Sequence, residues 1–310
     1  MKVALLIIFS YFDSIEDEYR WKLPGVEVDL YQYYKFVTKM KADKILVITD
    51  VFDNFKASDI SQTISKGIVD VDILNIINRI KKENNYWYYT HKKEMILKIC
   101  DHISDATELF IYYTGHGSKN RIVLPNIDRS FSYDGENVGM TFYDTDIFMD
   151  DILNSLNNKS EILMIMDCCQ ISGMKLPFKM KDGLYYSNKI CNFTHHNIIC
   201  FTSSLHDENS IIVTHGSVFS RSLYKILNTY DIYNYKCRSI KNILETLNND
   251  SVEINNYVSE LYVETEYISS SNIYASYPDL KILWSWVFGH TDNFKIEIDH
   301  FTSSIQLTVL

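Results

Sequence analysis

Leu109-Phe-Ile-Tyr-Tyr-Thr-Gly-His-Gly-Ser118 is a short apolar run that stops in a turn built around one histidine and two glycines. A continuous apolar run of this length suits a strand covered on both faces, the setting of a parallel sheet. Outward from it lie four more such runs: Val3–Phe9, Lys44–Ile48, Ile162–Met166 and Asn197–Thr202. Helix-like stretches separate them. Val28–Met40 precedes the second run, Lys92–Ile103 the third and Asp146–Leu156 the fourth, while Phe219–Leu227 and Ser239–Leu247 follow the fifth. This alternation predicts an α/β fold, a mostly parallel central sheet flanked by crossover helices.

Sites in such sheets gather at the carboxyl ends of the strands, so the strand exits carry the functional reading. The third run exits into Thr114-Gly-His116-Gly-Ser118, the fourth into Asp167-Cys-Cys169-Gln170, and the fifth into Ser203-Ser-Leu-His-Asp-Glu-Asn-Ser210. An imidazole and a thiol thus leave one sheet edge. A thiol attacks as thiolate, and an imidazole beside it can take the proton. Adjacent residues leaving a strand point opposite ways, so only one of Cys168 and Cys169 faces His116 readily. The glycines leave room for substrate, and the Gly117 amide is placed to meet an oxyanion.

Composition narrows the partners. The 310 residues carry a formal charge of −10 with 46% apolar content, and 10 glycines and 4 prolines leave little room for long flexible linkers. An acidic chain with no sustained basic stripe is a poor nucleic-acid ligand, whereas a negative cleft attracts basic peptides. The six cysteines form no CxxC pair and no framework, as expected of reduced thiols in a cytoplasmic setting. Val3–Phe9 reads as a buried first strand rather than a signal peptide, and no apolar run reaches the ~20 residues of a membrane span. With that strand at the start, no adaptor or Pro-rich prodomain is expected.

Taken together, these motifs resemble a known clan. Tyr113-Thr-Gly-His-Gly-Ser118 resembles the histidine motif of the clan of caspases, metacaspases and the GPI transamidase catalytic subunit. Asp167-Cys-Cys-Gln-Ile-Ser-Gly173 and Leu176-Pro-Phe178 are similar to the metacaspase cysteine motif and its following Leu-Pro-Phe. Ala4-Leu-Leu-Ile and Leu23-Pro-Gly-Val-Glu-Val-Asp29 resemble the first strand and the Gly-Cys-x-Asn-Asp motif. Ser204–Ser210 and Gly216-Ser-Val-Phe-Ser220 resemble the loop and helix start of the small subunit. The resemblance implies a caspase-like three-layer sandwich over one domain, 1–310. Its large-subunit-like part covers about 1–178, a linker loop about 179–196 and a small-subunit-like part about 197–310. It implies a monomeric cysteine endopeptidase with Cys169 as nucleophile, His116 as base and Cys168 as a bystander. Asp29, Thr114 and Asp167 fall on the S1 pocket positions. Two carboxylates favour a cation, so cleavage of protein or peptide substrates after Arg or Lys is expected.

Three departures qualify the resemblance. Gln170 stands where metacaspases have His, as in the GPI transamidase family. Val26 and Val28 replace the Cys and Asn of the upstream motif. The calcium ligands of many metacaspases map onto Asp128, Asp144 and Asp146, but the last falls on Lys175. Ca²⁺ takes six to eight oxygens and a cation among them repels it, so no cofactor and calcium independence are expected. Lys179, Lys181 and Lys189 offer basic self-processing sites in the linker. The competing expectations are a transamidase-like enzyme of the same clan and a pseudoprotease that binds partners.

Overall fold

Each of the five apolar runs becomes a strand with both faces covered. A computed structural model describes residues 1–11, 23, 25–51, 71–90, 92–103, 105–118, 121–125, 131–133, 138–140, 147–156, 160–171, 176, 178–181, 184–187, 197–205, 208–210, 212–213, 216–229, 243, 247–249, 271–275 and 307–308. The first strands are β1 (Lys2–Ile8), β2 (Lys44–Thr49), β3 (Trp87–Tyr89), β4 (Glu108–Thr114), β5 (Gly117–Ser118) and β6 (Arg121–Ile122). Next come β7 (Phe131–Tyr133), β8 (Val138–Met140), β9 (Ile147–Phe148), β10 (Glu161–Asp167), β11 (Phe178–Lys181) and β12 (Leu184–Ser187). The last are β13 (Asn197–Thr202), β14 (Ile212–Val213), β15 (Gly216–Ser217), β16 (Asn272–Ala275) and β17 (Leu307–Thr308). The helices are α1 (Val26–Lys39), α2 (Val71–Glu83), α3 (Lys93–Asp101), α4 (Met149–Ser155) and α5 (Val218–Thr229).

The main sheet runs β17-β12-β11-β16-β13-β10-β4-β1-β2-β3. From β3 to β13 neighbouring strands are parallel, while β16 joins β13 and β11, and β12 joins β11, antiparallel. Strand residues alternate between two cores. Ala4, Leu6, Ile8, Phe110, Tyr112, Leu163 and Ile165 meet Val26, Leu30, Tyr33, Phe36 and Val37 of α1, Ile77 of α2 and Phe219 and Leu223 of α5. Val3, Leu5, Ile7, Leu109, Ile111, Tyr113, Met164 and Met166 meet Ile96 and Ile99 of α3 and Ile152 and Leu153 of α4. Helices therefore cover both faces, which is the three-layer arrangement expected. The α1 positions 26, 30, 33 and 37 repeat at helical spacing, so one stripe of that helix is buried. Burying each such large side chain contributes about 1.5–3 kcal/mol.

Some elements differ from the sequence reading. Helix α2 is amphipathic, yet it joins no apolar run and was not expected. The expected helix at Ser239–Leu247 lies largely outside the described residues. Within the 179–196 segment, read as a linker loop, β11 and β12 form an antiparallel hairpin of the main sheet. Among the described residues, no helix is long and apolar enough to cross a membrane.

Candidate active site

Strand register brings the exits side by side. Ile8 pairs with Thr114, Thr114 with Asp167, and Met166 with Thr202. Pairing continues past the strand ends: the Phe9 amide donates to the Thr114 carbonyl at 3.1 Å, and the Ser203 amide to Met166 at 3.1 Å. One edge therefore presents Ser10–Tyr11, Gly115–Gly117, Cys168–Gln170 and Ser203–Ser204. Successive connections switch faces between β1 and β4, because α1 covers one face and α4 the other. A crevice opens at such a point.

The two glycines beside His116 are there for space. A Cβ on Gly115 would come within 2.6 Å of the Tyr113 hydroxyl and 2.9 Å of the Tyr11 hydroxyl. A Cβ on Gly117 would overlap the Cys169 carbonyl oxygen and sit 2.6 Å from Cys168 Sγ. The histidine turn thus lies directly against the two cysteines. His116 is half-buried, with its ring tilted against that of Tyr11 at 4.5 Å between centroids.

The adjacent cysteines do point apart. Cys168 is 1% exposed, packs in the core with Met164 and Met166, and its carbonyl accepts the Ser204 hydroxyl at 2.8 Å. Cys169 is half-buried, with Sγ 4.0 Å from the Ser210 carbonyl. Burial pushes the Cys169 thiol up; the Ser210 backbone pulls it down and the Asp167 charge pushes it up again. The thiol is thus held protonated until a base takes its proton. Gln170 adopts a left-handed backbone, φ 52°, and its amide donates to the Glu208 carbonyl at 3.0 Å. Its side-chain oxygen accepts the Ser118 hydroxyl at 3.1 Å, so Gln170 ties the histidine turn to the cysteine turn.

The two candidate pocket carboxylates converge at the start of α5. Asp29 is fully buried and accepts the Ser217 amide through both oxygens, at 3.0 and 3.2 Å. Gly216 has φ 96°, and a Cβ there would reach 2.5 Å from Asp29 Oδ1. Asp167, 2% exposed, accepts the Ser210 hydroxyl at 2.6 Å, the Ser220 amide at 3.2 Å and the Ser220 hydroxyl. That hydroxyl has one hydrogen and gives it to Asp167, so Tyr112 is the donor in its 2.8 Å contact with Ser220 Oγ. Burial raises Asp29 well above the usual carboxylate range; the Asp167 charge raises it further, and the Ser217 amide and Arg221 pull it down. Burial also raises Asp167, against the serine hydrogen bonds that lower it. Burial thus opposes ionisation of both carboxyls, and the Ser217 and Ser220 amides offset part of that cost.

The structure therefore gathers His116, Gly117 and Cys169 on one edge, with Thr114, Asp167 and Asp29 beneath them. Asp128, Asp144, Asp146 and Lys175 lie outside the described residues, as does Lys189. Lys179 and Lys181 stand in β11, whose residues pair with β12 on one side and β16 on the other. Among the described residues no group of three or more His, Cys, Asp or Glu side chains is placed to hold a metal ion. Sequence reasoning overlooked Tyr11 and Asp50, and it singled out Ser204–Ser210 and Gly216–Ser220 without linking their serines to Asp167. The exit of β1 was the available signal, since it leaves the same edge as the histidine.

A family model described as the caspase domain matches residues 1–262. Among solved structures, caspase-1 from Spodoptera frugiperda is 13% identical, with 87% of this chain and 84% of that chain covered at a TM-score of 0.49. A protein from Geobacter sulfurreducens is 10% identical, with 91% of this chain and 97% of that chain covered at a TM-score of 0.48. No curated protein matches the chain.

Proposed function

The chain belongs to the caspase-domain family of cysteine peptidases, and on that premise we propose a metacaspase-like endopeptidase that cleaves after Arg or Lys with a Cys169–His116 dyad. The observation that carries this reading is the convergence of the two buried carboxylates, Asp29 and Asp167, below the turn that presents Cys169. The residue on the amino side of the cleaved bond would place its cation against this pair. Arg can meet it with charge-assisted hydrogen bonds.

The chemistry needs no further group. His116 takes the Cys169 proton, and the thiolate attacks the peptide carbonyl carbon. The oxyanion that forms meets the Gly117 amide. The imidazolium returns its proton to the departing amine as the carbon–nitrogen bond breaks. Water, deprotonated by His116, then attacks the thioester and releases the acid and the thiol.

Calcium independence is part of this reading. By the resemblance, Asp128, Asp144 and Asp146 would be ligands and Lys175 would stand at the fourth ligand position, an ammonium where Ca²⁺ wants oxygen, which argues against the ion. Self-processing is favoured at Lys181 or Lys189 over Lys179, because Lys179 pairs with β12 on one side and β16 on the other. We place the enzyme in the cytoplasm as a monomer acting on proteins or peptides, without nucleic-acid or membrane partners. A pseudoprotease is the second reading, favoured by the protonated thiol and its contact with the Ser210 carbonyl. Purified protein and Cys169→Ala would be given fluorogenic peptides ending in Arg, Lys or Asp, with EDTA and with calcium. Hydrolysis after Arg or Lys, in EDTA, and absent from the variant is expected. Hydrolysis after Asp alone would sink the acidic-pocket assignment. No hydrolysis, together with no labelling of Cys169 by a covalent Arg-directed inhibitor, would favour the pseudoprotease.

A further inference from the structure

The peptide unit that carries His116 is held from both ends by tyrosine hydroxyls. The His116 amide donates to Tyr11 Oη at 2.9 Å, and Tyr113 Oη donates to the His116 carbonyl at 2.5 Å. Tyr11 Oη gives its own hydrogen to the Val123 carbonyl at 2.5 Å. Both hydroxyl hydrogens are then committed, so the 3.2 Å approach of the two oxygens is close packing rather than a third bond. The Tyr11 ring also lies against the imidazole.

Tyr11 is itself fixed at a cost. Its backbone is left-handed, φ 59°, which an aromatic residue seldom adopts. The Asp50 carboxylate, just past β2, holds that conformation. It accepts the Tyr11 amide at 2.7 Å, the Ser10 amide at 2.6 Å and the Ser10 hydroxyl at 3.1 Å. Backbone strain supported by a dedicated carboxylate clusters at functional sites. Tyr11 is 4% exposed and burial raises its hydroxyl well above the usual range, so it remains a donor at working pH. The Tyr113 hydroxyl also sets the need for a glycine at 115.

We propose that Tyr11 and Tyr113, anchored through Asp50, are positioning residues that fix the turn of His116 so that its imidazole faces Cys169. The proposal rests on the dyad reading above. It makes β1 and β2, which supply neither dyad residue, part of the working site. It also ranks the two tyrosines. The His116 carbonyl keeps the Val123 amide at 3.1 Å when Tyr113 loses its hydroxyl, so Tyr11 carries more of the placement.

The test is Tyr11→Phe, Tyr113→Phe and Asp50→Asn. The phenylalanines keep the rings and thus the packing. Expected are a kcat lower by about 10- to 100-fold for Tyr11→Phe, a smaller loss for Tyr113→Phe, KM within about twofold and an altered pH–rate profile. Amide exchange at His116, read by NMR on folded protein, should accelerate at least about tenfold in Tyr11→Phe. Asp50→Asn should accelerate it too, because the strained turn loosens. Unchanged kcat and pH profile in Tyr11→Phe, with an active wild type, overturns the proposal. If the wild type hydrolyses nothing, the dyad reading falls by itself. The exchange data then decide: faster exchange at His116 supports the clamp, and unchanged exchange overturns it.

Discussion

At Asp29 and Asp167 burial opposes ionisation, and under the proposed function a substrate cation would reverse the balance. Both carboxyls titrate above their usual range in the folded chain. The unfolded chain loses these protons near pH 4. Between that value and the raised folded values, the native state holds more protons than the unfolded one. Stability therefore falls as pH rises through that window. Asp29→Asn should flatten this fall, measured as the thermal midpoint against pH. For the substrate the sign is opposite. Under the proposed function a guanidinium binds the ionised pair and expels protons, so KM for an Arg peptide should decrease as pH rises through the window and then level off. A KM for Arg peptides independent of pH across that window would remove these carboxylates from recognition.

At the scale of elements, the junction of β15 and α5 is the part that holds the two carboxylates. Ser217 and Ser220 turn their amides toward Asp29 and Asp167, where the helix N-terminus favours negative charge. Ser220 also ties the pocket to the aromatic layer behind it, where Tyr33 and Tyr112 stack with centroids 3.8 Å apart. Tyr33 donates its hydroxyl hydrogen to the Ser220 carbonyl at 3.1 Å. Ser220→Ala removes one donor from Asp167 and the acceptor of Tyr112, both buried. It should cost about 1–3 kcal/mol in a denaturant titration. With one donor fewer, Asp167 holds its proton more tightly, so the KM profile should also move to higher pH. A variant as stable as the parent, with an unmoved profile, would show that the serine shell is incidental.

For the molecule as a whole, the sheet decides which bonds a protease can reach. Protease clefts need an extended, unpaired segment, and β11 is hydrogen-bonded to both β12 and β16. An active preparation should therefore leave the bond after Lys179, which is paired on both sides, intact in folded protein, as read by intact-mass spectrometry. A cut there under native conditions would mean that this end of the sheet opens locally. The parallel half, β3 to β13, carries the turns of His116 and Cys169 on one rigid edge. A site on such an edge keeps its geometry when loops elsewhere move.

The amino-acid sequence by itself determined the alternation of apolar runs and helices, and hence the layered sheet. It also determined which strand exits bear the imidazole and the thiol. Those features are local: continuous apolar runs, glycines at a turn and the opposite facing of neighbouring residues. The matching motifs extended this reading to Asp29, which lies far from Asp167 in the chain. Three things were settled only by tertiary structure. The first is the serine shell that satisfies Asp167, whose members come from the loop after β13 and from α5. The second is the clamp on His116, whose Tyr11 half is brought there because β1 and β4 are neighbours in register. The third is the hairpin of β11 and β12, whose strand character arises from its antiparallel partners rather than from an apolar run. The serines lie far from Asp167 in the chain, Tyr11 far from His116 and β16 far from β11, and hydrogen bonds between such partners leave no periodic trace along the chain.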